Sequence, residues 1–434
     1  MPFIFISIMK KLLLLLINLI LVTSLSAQNM ERVRKHIDTL AAPGMHGRGY
    51  VNDGDKIAAR FIQDRYIEAG LLSLIQTDTS ANSYYYQRFR LNVNCFNFAY
   101  VKINGVSLEL GKDFLIHPAS PGIKGNSSKI IYLDSLIFTD KKFQKKFRQK
   151  KISNSLIVFP SSYTKKIFAL PKDLLSKLLE ANAFIELVDS KLTFSVATSQ
   201  YSIPYFQIKK EVFPKKIKCI DLGAATKFKE NYLTQNVIGY IKGKTNPDSF
   251  IVVSAHYDHL GRIASTYFPG ANDNSSGISM MLELANYYSM PENQPDYSIA
   301  FMAFGAEEAG LIGSKYYVEN PLFPLKKIKF LINLDLLGTG EEGITVVNAT
   351  KFPEQYKQLT KINEEKKYLP VIKSRGPAAN SDHYFFTEKG VPAFFIYTMG
   401  GISAYHDIYD KAETLPLTRF KEVFQLLTNY IKGF

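Results

Sequence analysis

The fold is decided by Phe250-Ile251-Val252-Val253-Ser254-Ala255-His256-Tyr257-Asp258-His259. Six apolar or small residues run without alternation, the pattern of a strand buried on both faces, and a polar cluster follows at once at its carboxyl end. The arrangement recurs: Ile299–Phe304 leads to Glu307 and Glu308, Phe330–Leu334 to Asp335, and Ala393–Tyr397 to His406. Helical spacing fills the intervals at Gly277–Ser289, Glu308–Glu319, Pro353–Lys367 and Leu417–Ile431. In the first of these, Ile278, Met281, Leu282 and Ala285 share one face, which predicts its burial. Strands alternating with helices predict an α/β fold, a mostly parallel central sheet sandwiched by helices. Ligands of such sheets bind beyond the carboxyl ends of the strands, where these polar residues lie.

Toward the N-terminus, Glu31–Leu40 and Asp55–Ala69 read as helices separated by Pro43-Gly44 and Gly47-Arg48-Gly49, and Tyr84–Val93 reads as a strand. Between Cys95 and Cys219 the texture changes to short strand-like runs, Lys129–Leu133 and Leu156–Phe159 among them, separated by basic helical stretches; His117 is the single histidine there. The chain is therefore expected to comprise a main domain of residues 28–94 and 220–434 and an inserted smaller, mainly β accessory domain of residues 95–219. A length of 434 residues suits one large domain plus a smaller one.

Residues 1–27 stand apart. Lys10 and Lys11 precede an apolar run from Leu12 to Val22, broken only by Asn18, and then come Ser24, Ser26 and Ala27. This is the pattern of a signal peptide cut near Ala27–Gln28, and it predicts an exported protein, periplasmic or secreted. The run is shorter than the roughly 20 apolar residues that span a bilayer, so no transmembrane anchor is expected in the mature chain. Export would place Cys95 and Cys219 where thiols oxidise. They are either a disulfide, contributing about 4 kcal/mol in the chain-entropy model, or two unrelated buried thiols.

Hydrophobic content of 46% and charged content of 21% exclude a disordered chain. The net charge of +14 is concentrated partly in Lys141–Lys151. In an exported protein that run reads as a solvated helix face or a basic surface attracted to anionic envelope components, in preference to a nucleic-acid site.

Each strand-end residue has an ordinary reading when taken singly: Asp273 as a helix cap, Asp335 as a turn former, His406 as a surface residue, Glu307 and Glu308 as first-turn charges. Taken together, His256, Asp273, Glu308, Asp335 and His406 set imidazole and carboxylate donors at successive strand ends or, for Asp273, in the Gly270–Gly277 loop that opens a helix. Zinc accepts both donor types and, in catalytic sites, keeps a position open for water. Five side chains serve two ions only if one carboxylate bridges them. Two ions about 3.5–4 Å apart can hold a water between them and acidify it. A sixth carboxylate must stay off the metal to take the proton, and adjacent Glu307 and Glu308 allow one to bind while the other faces substrate. Asp258, two residues after His256, is placed to orient that imidazole.

These motifs, Ala255–Gly261, Gly270–Gly277, Phe304–Ser314 and Asn333–Asp335, resemble the di-zinc aminopeptidase family that includes bacterial leucyl aminopeptidases, glutamate carboxypeptidase and the transferrin receptor. The resemblance implies that His256, Asp273 and Asp335 hold one zinc and Asp273, Glu308 and His406 the other. Asp273 then bridges, Glu307 is the base and the Asn272–Asp273 peptide is cis. It implies a hydrolase acting on peptide substrates, with residues 95–219 similar to the protease-associated domain of relatives.

Some secreted members place a Tyr three residues before a segment like Ser381-Asp382-His383, and here that position is Ala378. Tyr405, directly before His406, matches the glutamate carboxypeptidase arrangement and becomes the expected donor to the carbonyl oxygen. Aminopeptidase action is the expected activity. A carboxypeptidase or other amidohydrolase, a glutaminyl cyclase and an inactive receptor-like protein are the alternatives. The cyclase reading calls for active-site tryptophans, and this chain has none. His259, Asp382 and His383 read as pocket lining or as satisfied loop residues. Side-chain preference and oligomeric state have no sequence signal.

Overall fold

A computed structural model describes residues 28–75, 84–127 and 129–434; the expected signal peptide lies outside the described residues. Two helices open the described chain, α1 (Met30–Leu40) and α2 (Gly54–Glu68), followed by a long strand β1 (Tyr86–Ile103). The middle of the chain carries β2 (Phe114–Ile116), β3 (Ile130–Tyr132), α3 (Lys141–Gln149), β4 (Leu156–Pro160), α4 (Lys172–Leu178), β5 (Ala183–Val188) and β6 (Tyr205–Lys209). The second long strand, β7 (Ile220–Ile241), leads into β8 (Asn246–His256), α5 (Gly277–Ser289), β9 (Tyr297–Phe304), α6 (Ile312–Glu319) and β10 (Ile328–Leu334). The chain finishes with β11 (Gly343–Val347), α7 (Pro353–Lys366), β12 (Ile372–Ser374), α8 (His383–Glu388), β13 (Ala393–Met399) and α9 (Phe420–Ile431).

Among the described residues the large sheet has 11 strands, with the order β12-β11-β13-β10-β8-β9-β7-β1 along its main path. Its centre is parallel, β8 pairing with β9 and β10, and β10 with β13. Its flanks are antiparallel, at β7 against β9 and β1 and at β11 against β13. The expected alternation of strands and helices is present, and the central strands are buried almost throughout. One face of the sheet packs on α1, α2, α5 and α9, while the other packs on α6 and α8 through Tyr317 and Phe386. Parallel strands point their carboxyl ends the same way, so His256, Glu307, Glu308 and Asp335 come to one edge.

β1 and β7 form a hairpin arm that leaves the large sheet and carries the second one, ordered β2-β6-β5-β4-β3 and parallel except at β2 against β6. One face of this second sheet packs on its own helices, and the other shares a core with Leu260, Ile263 and Phe268 of the main body. The basic run is helix α3, capped by Asp140, with Phe147 buried and its lysines exposed. That is the solvated-face reading.

Cys95 and Cys219 are both free thiols, Cys95 buried. Cys219 sits opposite Asn104, whose N–H donates to the Cys219 carbonyl at 2.9 Å. Cys95 lies nine residues back along β1 from Asn104, roughly 30 Å at the usual strand rise. A disulfide requires Cα atoms within about 7 Å, so the pairing considered from sequence is excluded by the register of the arm.

Arg48 joins the N-terminal segment to the large sheet. It is fully buried, and all five guanidinium donors are used. Nε donates to Tyr257 O at 2.8 Å, Nη1 to Leu40 O at 3.0 Å and Pro269 O at 2.7 Å, and Nη2 to Gly270 O and Asp273 O, each at 2.9 Å. Gly270 has φ +61, and a side chain there would meet Asp273 O, His259 and Arg48 closer than van der Waals contact permits. Arg48→Met should lower stability by about 3 kcal/mol or more, because several buried carbonyls lose their donor. Arg48→Lys should fail to restore it, since an ammonium offers three donors in place of a planar fork. Denaturant melts check this, and a Lys variant as stable as the parent would contradict it.

Two histidines far from the strand ends make stability depend on pH. His117 is sandwiched between Tyr201 and Tyr205 at 4.8 and 5.0 Å, and His36 packs edge-on against Phe61. Burial first of all lowers both to about 4 from the ordinary 6.5. The unfolded chain therefore binds more protons between those values, and stability falls as pH drops from 6.5 toward 4. The melting temperature should decline across that window, and His117→Phe should flatten the decline; an unchanged slope would assign the proton uptake elsewhere.

Candidate metal centre

Asp273 stands between the two histidines. Its Oδ1 lies 3.2 Å from His256 Nε2 and its Oδ2 lies 3.1 Å from His406 Nε2. His256 Nε2 is also 3.5 Å from Asp335 Oδ1, and His406 Nε2 is 3.1 Å from Glu308 Oε2. Each imidazole thus faces two carboxylates, and one carboxylate faces both imidazoles. Donor atoms of His256, Glu307 and Asp335 also fall within 4.8 Å of one another, as do those of His259, Asp273 and Glu308.

Backbone is held as carefully as side chain. The Asp410 carboxylate accepts the N–H groups of Asn272 and Asp273 at 2.8 and 2.9 Å, while Arg48 takes the Asp273 carbonyl. The cis peptide of this loop is Asp273–Asn274, one bond later than the Asn272–Asp273 bond expected from the resemblance. Asp258 Oδ1 accepts Glu307 N–H at 3.0 Å and Oδ2 accepts Glu308 N–H at 3.3 Å, so this carboxylate seats the two glutamates. Its own carbonyl is 3.2 Å from His256 Nδ1, and its carboxylate 3.8 Å, so Asp258 touches that imidazole mainly through backbone.

Glu307 and Glu308 were expected at or near a helix start, but they lie in a turn. Positive φ at Ala306, Gly310 and Leu311 delays α6 to Ile312, and both Gly310 N and Leu311 N donate to Glu307 O at 2.8 Å. His259 is no pocket-lining residue. It is buried, with Nδ1 2.7 Å from Glu308 Oε1, leaving Glu308 Oε2 toward His406. Ser381 donates to Asp335 Oδ2 at 3.0 Å and is itself fixed by Asn333, which Ser254 holds in turn. Asp382 and His383 are buried and line no part of the cleft.

The charge of this cluster is lopsided. Asp258, Asp273 and Asp335 are buried and Glu307 and Glu308 partly so, and among the described residues the ion-pair partners of Asp258, Asp273, Glu308 and Asp335 are histidines alone. Burial raises the Glu307 carboxyl well above its ordinary range, and neighbouring Glu308, Asp382 and Asp335 add to the rise against the opposing pull of His256. Asp273 is held low in spite of burial by hydrogen bonds from His256 and His406. Glu308 falls to about 2, against burial and the Asp273 charge, through His406 and His259. So many carboxylates around two imidazoles fit a pair of dications that accept both nitrogen and oxygen, with Asp273 shared.

The cleft above these residues has a volume of about 230 Å³ and is lined by Leu336, Asn380, Phe395, Tyr397, Arg375 and Tyr405 around His256, Asp273, Glu307, Asp335 and His406. Tyr405 stacks on the His406 ring at 4.0 Å; although half of the residue is exposed, desolvation at its hydroxyl, joined by the charges of Asp273, Glu308, Asp335 and Glu307, raises the group so that it stays protonated. His406 has φ +54, a left-handed conformation costly to a side-chain-bearing residue. The middle segment helps hold it: Phe194 N–H donates to His406 O at 2.8 Å, and Lys191 pairs with Asp407 at 2.6 Å.

Arg48 carried a readable signal, the Gly47-Arg48-Gly49 break, without a stated role, and Asp410 was not singled out. Tyr397 was read only as the end of a strand, and Arg375 carried no signal, because β11 and β12, which set it beside the cleft, are too short to stand out.

Residues 236–431 match the pattern of Peptidase family M28. The aminopeptidase YwaD of Bacillus subtilis is 34% identical over 252 residues, 55% of this chain and 52% of that protein. Leupeptin-inactivating enzyme 1 of Streptomyces exfoliatus is 35% identical over 153 residues, 34% of this chain and 32% of that protein. The chain thus spans about half the length of the first of these relatives and a third of the second. A zinc aminopeptidase structure from Bacillus subtilis superposes with a TM-score of 0.69 at 22% identity, covering 94% of this chain and 95% of that one. The aminopeptidase from Aneurinibacillus sp. strain AM-1 gives 0.63 at 19%, covering 93% of each, so the whole described fold is shared. Residues 236–431, which contain all of the strand-end residues described above, are thus similar to peptidase family M28.

Proposed function

We propose that this protein is an exported zinc-dependent exopeptidase that removes N-terminal amino acids from peptides. The observation that carries the reading is the placement of both Asp273 oxygens, one toward His256 and one toward His406, beneath a cleft that also presents Glu307. His256, Asp273 and Asp335 would hold one zinc, and Asp273, Glu308 and His406 the other; the zinc aminopeptidase and zinc metalloprotease names of similar proteins support that choice of metal. Zinc held there supplies Lewis acidity toward water and toward the scissile carbonyl.

Glu307 does the proton work. Its carboxyl is raised by burial and held at the backbone by Asp258, so it can accept the proton of the attacking water and pass it to the departing amine. Tyr405 lines the same cleft and keeps its proton, which suits a donor to the carbonyl oxygen. The cleft is smaller than the roughly 300–1,000 Å³ of sites for drug-sized ligands, which suits one terminal residue more than a continuous chain. Residues 95–219 read as an accessory domain whose Lys191 and Phe194 brace the His406 loop. Lys10, Lys11 and the apolar run after them support export. No helix of the described residues is long and apolar enough to cross a membrane.

Glu307→Gln should keep two zinc equivalents and lose about 10²- to 10⁴-fold in kcat on leucine-4-methylcoumarylamide. Asp273→Ala should lose both ions by elemental analysis together with activity, because it removes the shared ligand. Full turnover by the first variant would refute the base, and two retained zinc equivalents in the second would refute the bridge.

A further inference from the structure

Arg375 is the single lysine or arginine among the described residues that line the cleft. It follows β12 directly, and its backbone N–H donates to Val346 O at 2.9 Å, which pins its Cα to the edge of the large sheet. Its Nη1 donates to the Tyr397 hydroxyl at 3.2 Å. Among the described residues Nε and Nη2 have no partner, and no carboxylate pairs with this guanidinium although the floor of the same cleft is crowded with them. A planar fork anchored at one nitrogen and open at its remaining donors is built to take a carboxylate through two parallel hydrogen bonds. Asn380 lines the same cleft, where its amide can donate to such an anion.

We propose that Arg375, with Tyr397 orienting it and Asn380 in the same cleft, forms a carboxylate-binding subsite that selects substrates bearing a carboxylate close to the first peptide bond. This rests on the exopeptidase reading above. Two sources supply that group within one residue of the scissile bond: the side chain of an N-terminal aspartate or glutamate, and the free α-carboxylate of a dipeptide. A cavity of this size admits either without a longer chain. The competing role for Arg375 is to support the Tyr397 hydroxyl, an exposed contact that is nearly neutral to remove.

The test compares the zinc-loaded protein with Arg375→Gln and Arg375→Lys in two arms. One sets glutamyl- and aspartyl- against leucyl-4-methylcoumarylamide, and the other sets Leu-Leu against Leu-Leu-amide. In at least one arm Arg375→Gln should lower kcat/KM for the carboxylate-bearing substrate about tenfold or more relative to its neutral counterpart, mainly through KM, with partial recovery in Arg375→Lys. A loss confined to the first arm assigns the side-chain carboxylate, and a loss confined to the second assigns the dipeptide terminus. Unchanged ratios in both arms, or equal losses on every substrate, overturn the subsite. If the parent protein cleaves none of these substrates, the exopeptidase reading fails by itself. Titration calorimetry with glutamate against glutamine and with Leu-Leu against Leu-Leu-amide then still decides the subsite: the carboxylate-bearing partner of at least one pair must bind the parent more tightly, and Arg375→Gln must abolish the difference.

Discussion

Like charges buried together cannot hold one another in place. Asp273, Glu307, Glu308 and Asp335 meet within one cleft, and two such charges 4 Å apart repel by about 4 kcal/mol even at an effective dielectric of 20. Their order therefore has to come from groups that grip the backbone carrying them. Arg48 takes the carbonyls of Pro269, Gly270 and Asp273, and Asp410 takes the N–H groups of Asn272 and Asp273, so one short loop is fixed through both halves of its peptide units. Asp258 does the same for Glu307 and Glu308. With the backbone held, the remaining repulsion falls to whatever cations enter, and the imidazoles set their positions.

The same constraint explains the architecture around the cleft. A parallel centre brings three ligand-bearing strand ends to one edge without any long-range matching, because β8, β9 and β10 all run one way. His406 has no such support, since it lies seven residues beyond the end of β13 in a left-handed conformation. Its backbone is met by Phe194 from the middle segment, with Lys191 gripping Asp407 and the Ser403 carbonyl. The hairpin arm of β1 and β7 thus has a consequence at the site. It projects the second sheet to where its outgoing chain can close on the His406 loop, and the shared core with Leu260, Ile263 and Phe268 makes that placement stiff.

How much of this was legible in the sequence follows from the range of each interaction. The central strands and α5 were readable because burial imposes a period on consecutive residues, and Gly277–Ser289 spans the same residues in both readings. The ligand-type residues were readable because parallel strands end where polar residues begin. The turn at Glu307 and Glu308 was missed: Ala306 and Leu311 adopt left-handed φ as residues with no strong preference for it, and only the contacts of the folded loop select that conformation. The cysteines illustrate the same limit, for their separation is set by a strand register that two residue names do not contain.

Arg48 is the most instructive omission. A fully buried arginine contradicts the ordinary preference for the surface, and the Gly47-Arg48-Gly49 break marks its place but not its role, because its partners lie at 40, 257, 269, 270 and 273. Its partners are carbonyls, which every residue has, so no complementary side chain betrays the contact. Desolvation pulls its pKa down to about 10 against the attraction of Asp273 and Asp410, which still leaves it charged at neutral pH. A positive charge is thus stationed behind Asp273, on the side away from the cleft. It offsets part of the buried negative charge without occupying the space in which the bridging carboxylate meets the two imidazoles.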